Sequence, residues 1–213
     1  MCRQIIRPIK LRNWFPAHDP LAASVARLSI LREDLSLELF CGIKEDSIKE
    51  LDGNSSGWRR LYFFRRSILT LDEIRRAIET LSPRTEFKDL LSKQGQAGKD
   101  EFYKLKRQME EASSLLKDWR DKLGAHVLNK HVEVALQAMQ PDREGFVEVE
   151  PTLKVVHYRF AGELVLDVLV PGLPEQNARP KFETEIHKIL MLAPVIRLID
   201  NIVGWYGKDR QLL

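Results

Sequence analysis

The chain has 213 residues, 44% of them hydrophobic and 31% charged, with a mean hydropathy of −0.29; that composition excludes a disordered chain and a polytopic membrane protein and leaves one globular domain as the default. A net charge of +3 and a pI near 8.8 are too mild to point to a nucleic-acid partner by themselves. Cys2 and Cys41 are the only cysteines, which excludes a disulfide framework and a cysteine-built structural zinc site and fits a reducing, cytoplasmic compartment.

The first residues, MCRQIIRPIKLRNWF, lack the apolar core of a signal peptide and read as an extension ending near residue 18. Asp19-Pro20 is a helix-start signal, a capping carboxylate ahead of a proline in the first turn. Leu21, Val25, Leu28, Leu31, Leu35 and Leu39 then recur at helical spacing and predict a helix over about 19 to 41. After the loop Gly53 to Gly57, residues Leu61, Phe64, Ile68, Leu71, Ile74, Ile78 and Leu81 predict a second helix over 57 to 82, stopped by Ser82-Pro83. Three arginine doublets lie in it, Arg59-Arg60, Arg65-Arg66 and Arg75-Arg76. They read either as a solvated helix face or, with Arg65 and Arg66 foremost, as phosphate contacts for RNA.

A short helical turn and a glycine-containing loop follow, and a third long helix is expected over 100 to 124. Its apolar seam steps by three and four residues through Phe102, Leu105, Met109, Ala112, Leu116, Trp119 and Leu123, and the next step of three lands on His126. The stretch from Phe146 to Val170 carries strand-forming β-branched residues, but Pro151 and the set Leu153, Val156, Phe160, Leu164 and Val168 favour a helix over 151 to 169. A last helix is expected over 181 to 206, kinked at Pro194, with 207 to 213 as a tail. Its apolar run is broken by Pro194, Arg197 and Asp200, so it reads as buried and not as a membrane span. The expected fold is all-α: a single domain, an antiparallel bundle of four to five long helices spanning 19 to 206.

No glycine-rich phosphate loop, nucleophile elbow, His-Glu-x-x-His or Cys-x-x-Cys occurs. Glu183 and Glu185 stand at the wrong spacing from His187 for a di-iron motif, so neither a metal nor a cofactor is expected. His131, His157 and His187 read as structural. What remains is Arg120 with His126. A histidine exchanges protons near neutral pH, and an arginine stays cationic and can stabilise a phosphate transition state.

The segment Arg120-Asp121-Lys122-Leu123-Gly124-Ala125-His126 resembles the Arg-polar-x-His signature of the HEPN superfamily of all-helical domains. The resemblance covers roughly residues 19 to 206. It implies a metal-independent ribonuclease of toxin or phage-defence type in which the ribose 2′-hydroxyl attacks its own phosphate. Arg120 and His126 would do the chemistry, with Asp121 orienting one of them and Lys122 beside the RNA. It also implies RNA as partner, a homodimer whose two motifs share one cleft, and an antitoxin or defence-system protein, with no membrane. The same spacing occurs at Arg12-Asn13-Trp14-Phe15-Pro16-Ala17-His18, where Pro16 prevents a helix, so the later pair is preferred. On an unbroken helix Arg120 and His126 would sit about 120° apart. Either Gly124 opens the helix there, or seam positions of two protomers meet across a two-fold axis. The rival reading is a bundle without catalysis, serving as a protein-interaction or nucleic-acid-binding module, with His126 in the core and Arg120 paired to Asp118 or Asp121.

Overall fold

The computed structural model describes residues 10–43, 55–123, 129–139, 147–150, 155–158, 164–165, 168, 184, 192 and 194–211. Its elements in chain order are α1 (Leu11–Trp14), α2 (Ala22–Ile43), α3 (Ser55–Leu81), α4 (Thr85–Ser92), α5 (Gly95–Glu111), α6 (Ser113–Leu123), α7 (Asn129–Ala138), β1 (Val147–Glu150), β2 (Val155–Tyr158) and α8 (Val195–Asp209). Helices build the core, and the fold is all-α in class.

Asp19 turns the chain into α2 from three residues ahead of it: its Oδ1 accepts the Leu21 N–H at 2.8 Å and its carbonyl accepts the Ala22 N–H at 3.2 Å, while Pro20, expected at the first helical position, stays in the turn. α2 then buries Leu28 and Leu35 against α3, which contributes Ile68, Leu71, Ile74, Ile78 and Leu81. These are the spacings read from the sequence. α8 closes the other side with Leu198, Ile199, Ile202 and Tyr206. Burying a side chain of this size stabilises the fold by about 1.5–3 kcal/mol before the entropy of ordering is subtracted.

The third expected helix is two helices. Ala112 sits between them with φ −82° and ψ −3°, off the helical ψ. Ser113 and Ser114 follow, residues whose hydroxyls compete for backbone groups. The seam nevertheless runs through the joint, because Leu116 N–H still bonds to the Ala112 carbonyl at 2.9 Å, and Phe102, Leu105, Met109, Leu116 and Trp119 are all buried. The chain's own helices therefore fill that face as far as Trp119; the Leu123 side chain and His126, where two protomers were expected to meet, lie outside the described residues. α5 also begins earlier than expected, at Gly95, whose φ of +70° a side chain would rarely adopt. Gly98 has a different reason: a Cβ there would lie 2.9 Å from the Cβ of Gln94 and 3.4 Å from the Trp205 ring of α8.

Two further expectations are corrected. The helix over 151 to 169 gives way at 155 to 158 to β2, antiparallel to β1 with Val147 opposite Tyr158 and Glu150 opposite Val155. Val147, Val149, Val155 and Val156 favour the pleated backbone, and at Val156 that preference outweighs the helical spacing; Leu153 and Phe160 lie outside the described residues. Only Leu164, Val165 and Val168 are described as helical in that stretch, with both valines buried. Of the helix expected ahead of Pro194 only residues 184 and 192 are described, so the expected kink falls outside the described residues. Pro194 stands immediately before α8, where its fixed φ suits a helix start, and α8 continues to Asp209, into the expected tail. Phe15, from the expected extension, packs on the core and stacks on Tyr206 at 6.1 Å. Among the described residues no helix is long and apolar enough to cross a membrane.

Candidate functional site

The last turn of α6 carries Arg120, and what fixes that turn is its neighbour Trp119, buried and edge-on to Phe64 of α3 at 5.8 Å. With the indole anchored inward, Arg120 reaches across to α3. Its Nη1 donates to Asp72 Oδ2 at 2.8 Å, while Nε and Nη2 donate to Asp121 Oδ1 at 3.0 and 2.7 Å. The guanidinium spends the Nε hydrogen and one hydrogen on each terminal nitrogen this way, which leaves the second hydrogen on Nη1 and on Nη2. The side chain is 23% exposed. The two carboxylates, Asp121 foremost, push its pKa further above the ordinary arginine value, so it carries its charge throughout the working pH range.

Asp72 is the centre of the arrangement, with no exposed side-chain surface. Arg75 grips its Oδ1 with Nε at 3.0 Å and Nη2 at 2.8 Å, and Arg76 Nε lies 3.1 Å from Oδ2 beside Arg120. Arg75 continues to Glu79 at 2.6 Å, and Glu73 takes Arg27 of α2. Of that doublet, Arg75 is thus taken up by Asp72 and Glu79, while Arg76 holds Asp72 through Nε and keeps 44% of its side chain exposed. A buried charge needs such partners, because taking one carboxylate out of water costs several kcal/mol unless cations and donors surround it. Around this node Arg27, Arg75, Arg76 and Arg120 are matched by Asp72, Glu73, Glu79 and Asp121.

Of the residues singled out in the sequence, the structure brings Arg120 and Asp121 together, and Asp121 orients the guanidinium. Lys122 turns to Asp118 instead, at 2.8 Å along the same helix. Arg66 lies 3.6 Å from Glu38 of α2 and stays half-exposed. Arg65 is half-buried, and that burial draws its pKa below the usual arginine value against the pull of nearby Tyr62. His126 and Gly124 lie outside the described residues, as do the side chains of Arg59 and Arg60. His18 is described, ahead of α2, and Arg12 lies in α1, a single helical turn before Pro16 in a stretch expected not to be helical. Among the described residues no three His, Cys, Asp or Glu side chains group as a metal site.

Sequence reasoning missed Asp72. Its signal was an acid four residues after the seam residue Ile68, followed by arginines at three and four residues. It also missed Glu38, buried between α2 and α3 with its pKa raised by that burial and its Oε2 without a hydrogen bond among the described residues. No family model matches the chain, and neither a curated protein nor a solved structure matches it.

Proposed function

We propose that the protein is a metal-independent endoribonuclease of the HEPN type, acting in a toxin or phage-defence setting in the cytoplasm. The observation that carries the reading is the Arg120 guanidinium, held at the end of α6 by Asp72 and Asp121 with hydrogens left on Nη1 and Nη2, six residues ahead of His126. In this reaction the 2′-hydroxyl gives its proton to a base and its oxygen bonds to phosphorus. The bond from phosphorus to the 5′-oxygen breaks, and that oxygen takes a proton from an acid, leaving a 2′,3′-cyclic phosphate. His126 supplies the proton transfer, and Arg120 offers its remaining hydrogens to the phosphate oxygens in the transition state. Preorganisation supports this role: a guanidinium already clamped has little entropy left to lose when phosphate arrives. The proposed partners are RNA, a second copy of the chain and a cognate antitoxin or defence-system protein.

The balance of guanidiniums by carboxylates around Asp72 favours a second reading, in which the node staples α3 to α6 and the bundle binds a partner without catalysis. One assay separates the two. Single-stranded RNA incubated with the protein in EDTA is expected to be cleaved, with Arg120→Ala and His126→Ala each lowering the rate about 10²-fold or more and His18→Ala leaving it nearly intact. Intact RNA at every salt and pH tried sinks the nuclease. Equal loss in all three variants traces to folding, which thermal melts of the same samples reveal.

A further inference from the structure

The face of α2 turned away from the core carries an arrangement that a surface helix does not need. Ile30 and Leu37 are 64% and 61% exposed, seven residues apart, and Ala23 stands seven residues before Ile30 on the same line. Arg27 and Asp34, both exposed, complete the stripe. At 100° per residue, Ala23, Arg27, Ile30, Asp34 and Leu37 fall within an arc of about 80°, opposite the buried Val25, Leu28 and Leu35. Spacing by fours and threes is that of one helix seam meeting another.

We propose that this face docks a second copy of the same chain, α2 against α2, antiparallel, with Ile30 at the two-fold axis. The argument for that occupant is self-complementarity. About a centre at Ile30, Ala23 lies about 10.5 Å to one side and Leu37 about 10.5 Å to the other, so an antiparallel copy sets each small side chain opposite a large one. Arg27 lies about 4.5 Å before the centre and Asp34 about 6 Å beyond it, on the same flank of the Ile30–Leu37 line. A two-fold axis perpendicular to both helices keeps flanks together and reverses direction, so each Arg27 meets the partner's Asp34. A parallel pairing would instead set Arg27 level with Arg27 and Asp34 level with Asp34 on opposite flanks, and would lose the opposite-charge pairing. Arg27 bonds Glu73 within its own chain through Nη2 only and keeps about half its side chain exposed, so it has donors for a second carboxylate. The contact of one helix pair is small, below about 1,200 Å², and gives a concentration-dependent equilibrium. The inference rests on the homodimer proposed above and not on the ribonuclease chemistry, and the two fail separately, one in hydrodynamics and the other in RNA cleavage.

Sedimentation over a concentration series is expected to move from the 24.7 kDa chain to twice that mass. Ile30→Glu and Leu37→Glu should each weaken the dimer about tenfold or more without lowering the melting temperature at dilutions where the parent is a monomer, since both side chains face water in the single chain. Direction is read by crosslinking on a Cys2→Ser, Cys41→Ser background. Ile30→Cys alone should form a disulfide-linked dimer, and Ala23→Cys mixed with Leu37→Cys should link 23 to 37, whereas neither of the latter links to itself. A monomer at every concentration, a dimer indifferent to both Glu substitutions, or 23-to-23 links would each overturn the proposal.

Discussion

Asp72 and Asp19 are both carboxylates withdrawn from water and gripped by arginine, yet they are held in different ways. Asp72 faces three guanidiniums, and among the described residues no neutral donor bonds to it. Asp19 accepts the Leu21 N–H, the Tyr206 hydroxyl at 2.9 Å and the Nε of Arg210, whose guanidinium also lies over the Tyr206 ring at 3.9 Å from its centre. The first is a charge cluster joining α3 to α6. The second is a latch joining the start of α2 to the end of α8, with two of its three bonds from neutral donors. Removing the carboxylate therefore leaves different debris: mutual repulsion among Arg75, Arg76 and Arg120 in one place, and in the other a single Arg210 that has Asp209 3.5 Å away.

The contrast predicts its own largest effect. Asp72→Ala should cost about 3–5 kcal/mol in urea unfolding, the range for breaking a buried ion cluster from one side. Asp72→Asn, which keeps an acceptor but not the charge, should fall between that variant and the parent. A loss under about 1 kcal/mol for the alanine variant would mean that the three arginines simply turn to water, and the two nodes would then be alike.

The latch is best broken by pH. Burial, followed by the bond to Asp19, pushes the Tyr206 hydroxyl up to about 12. Its proton is therefore held in the folded protein at a pH where the unfolded chain, near 10, has lost it. Between pH 10 and 12 the unfolded state binds fewer protons, so stability falls as pH rises, by about 2–3 kcal/mol across the window. Tyr206→Phe should remove that slope and cost about 1 kcal/mol at neutral pH for the lost hydrogen bond. At the acid end, burial raises the Asp19 pKa but the bonds from Arg210, Leu21 and Tyr206 outweigh it and leave it below the ordinary 3.8. A lowered carboxylate pKa contributes stability that is complete above the unfolded value and is lost as pH falls through the folded one. The gap between the parent and Asp19→Asn, about 1–2 kcal/mol at neutral pH, should then stay level down to about pH 5 and close below 4. A gap unchanged at pH 3 would show that Asp19 acts as a cap and not as a charge.

These nodes also mark where the sequence can and cannot be read. Helix periodicity, Asp19-Pro20 and Ser82-Pro83 located α2 and α3 to within a few residues, because local spacing and capping decide those ends. The hairpin at β1 and β2 was misread because its valines satisfy a strand and a helix pattern at once, and short segments do not separate the two. Arg120 with Asp121 was legible, being adjacent in the chain. Asp72 is 48 residues from Arg120, and Asp19 is 191 from Arg210; partners so distant are chosen by packing, which no local pattern records.

The smallest effect belongs to a pair that is neither buried nor shared. Lys122 and Asp118 lie one turn apart on α6, with 25% and 52% of their side chains exposed. Water screens such a pair, and the long lysine side chain loses rotamer freedom to hold it, so Lys122→Ala should change stability by no more than about 0.5 kcal/mol. This makes it the control for the two buried nodes: an ion pair on the helix that carries Arg120, with its carboxylate half-exposed instead of buried. It also tests the RNA reading cleanly, because a variant that folds as well as the parent isolates binding. If Lys122 meets phosphate, its removal should weaken RNA binding and flatten the salt dependence by about one counterion, as should loss of Arg66, the exposed member of its doublet. An unchanged salt slope would leave Lys122 a partner of Asp118 alone and confine any phosphate contact to Arg120 and the hydrogens that Asp72 and Asp121 do not take.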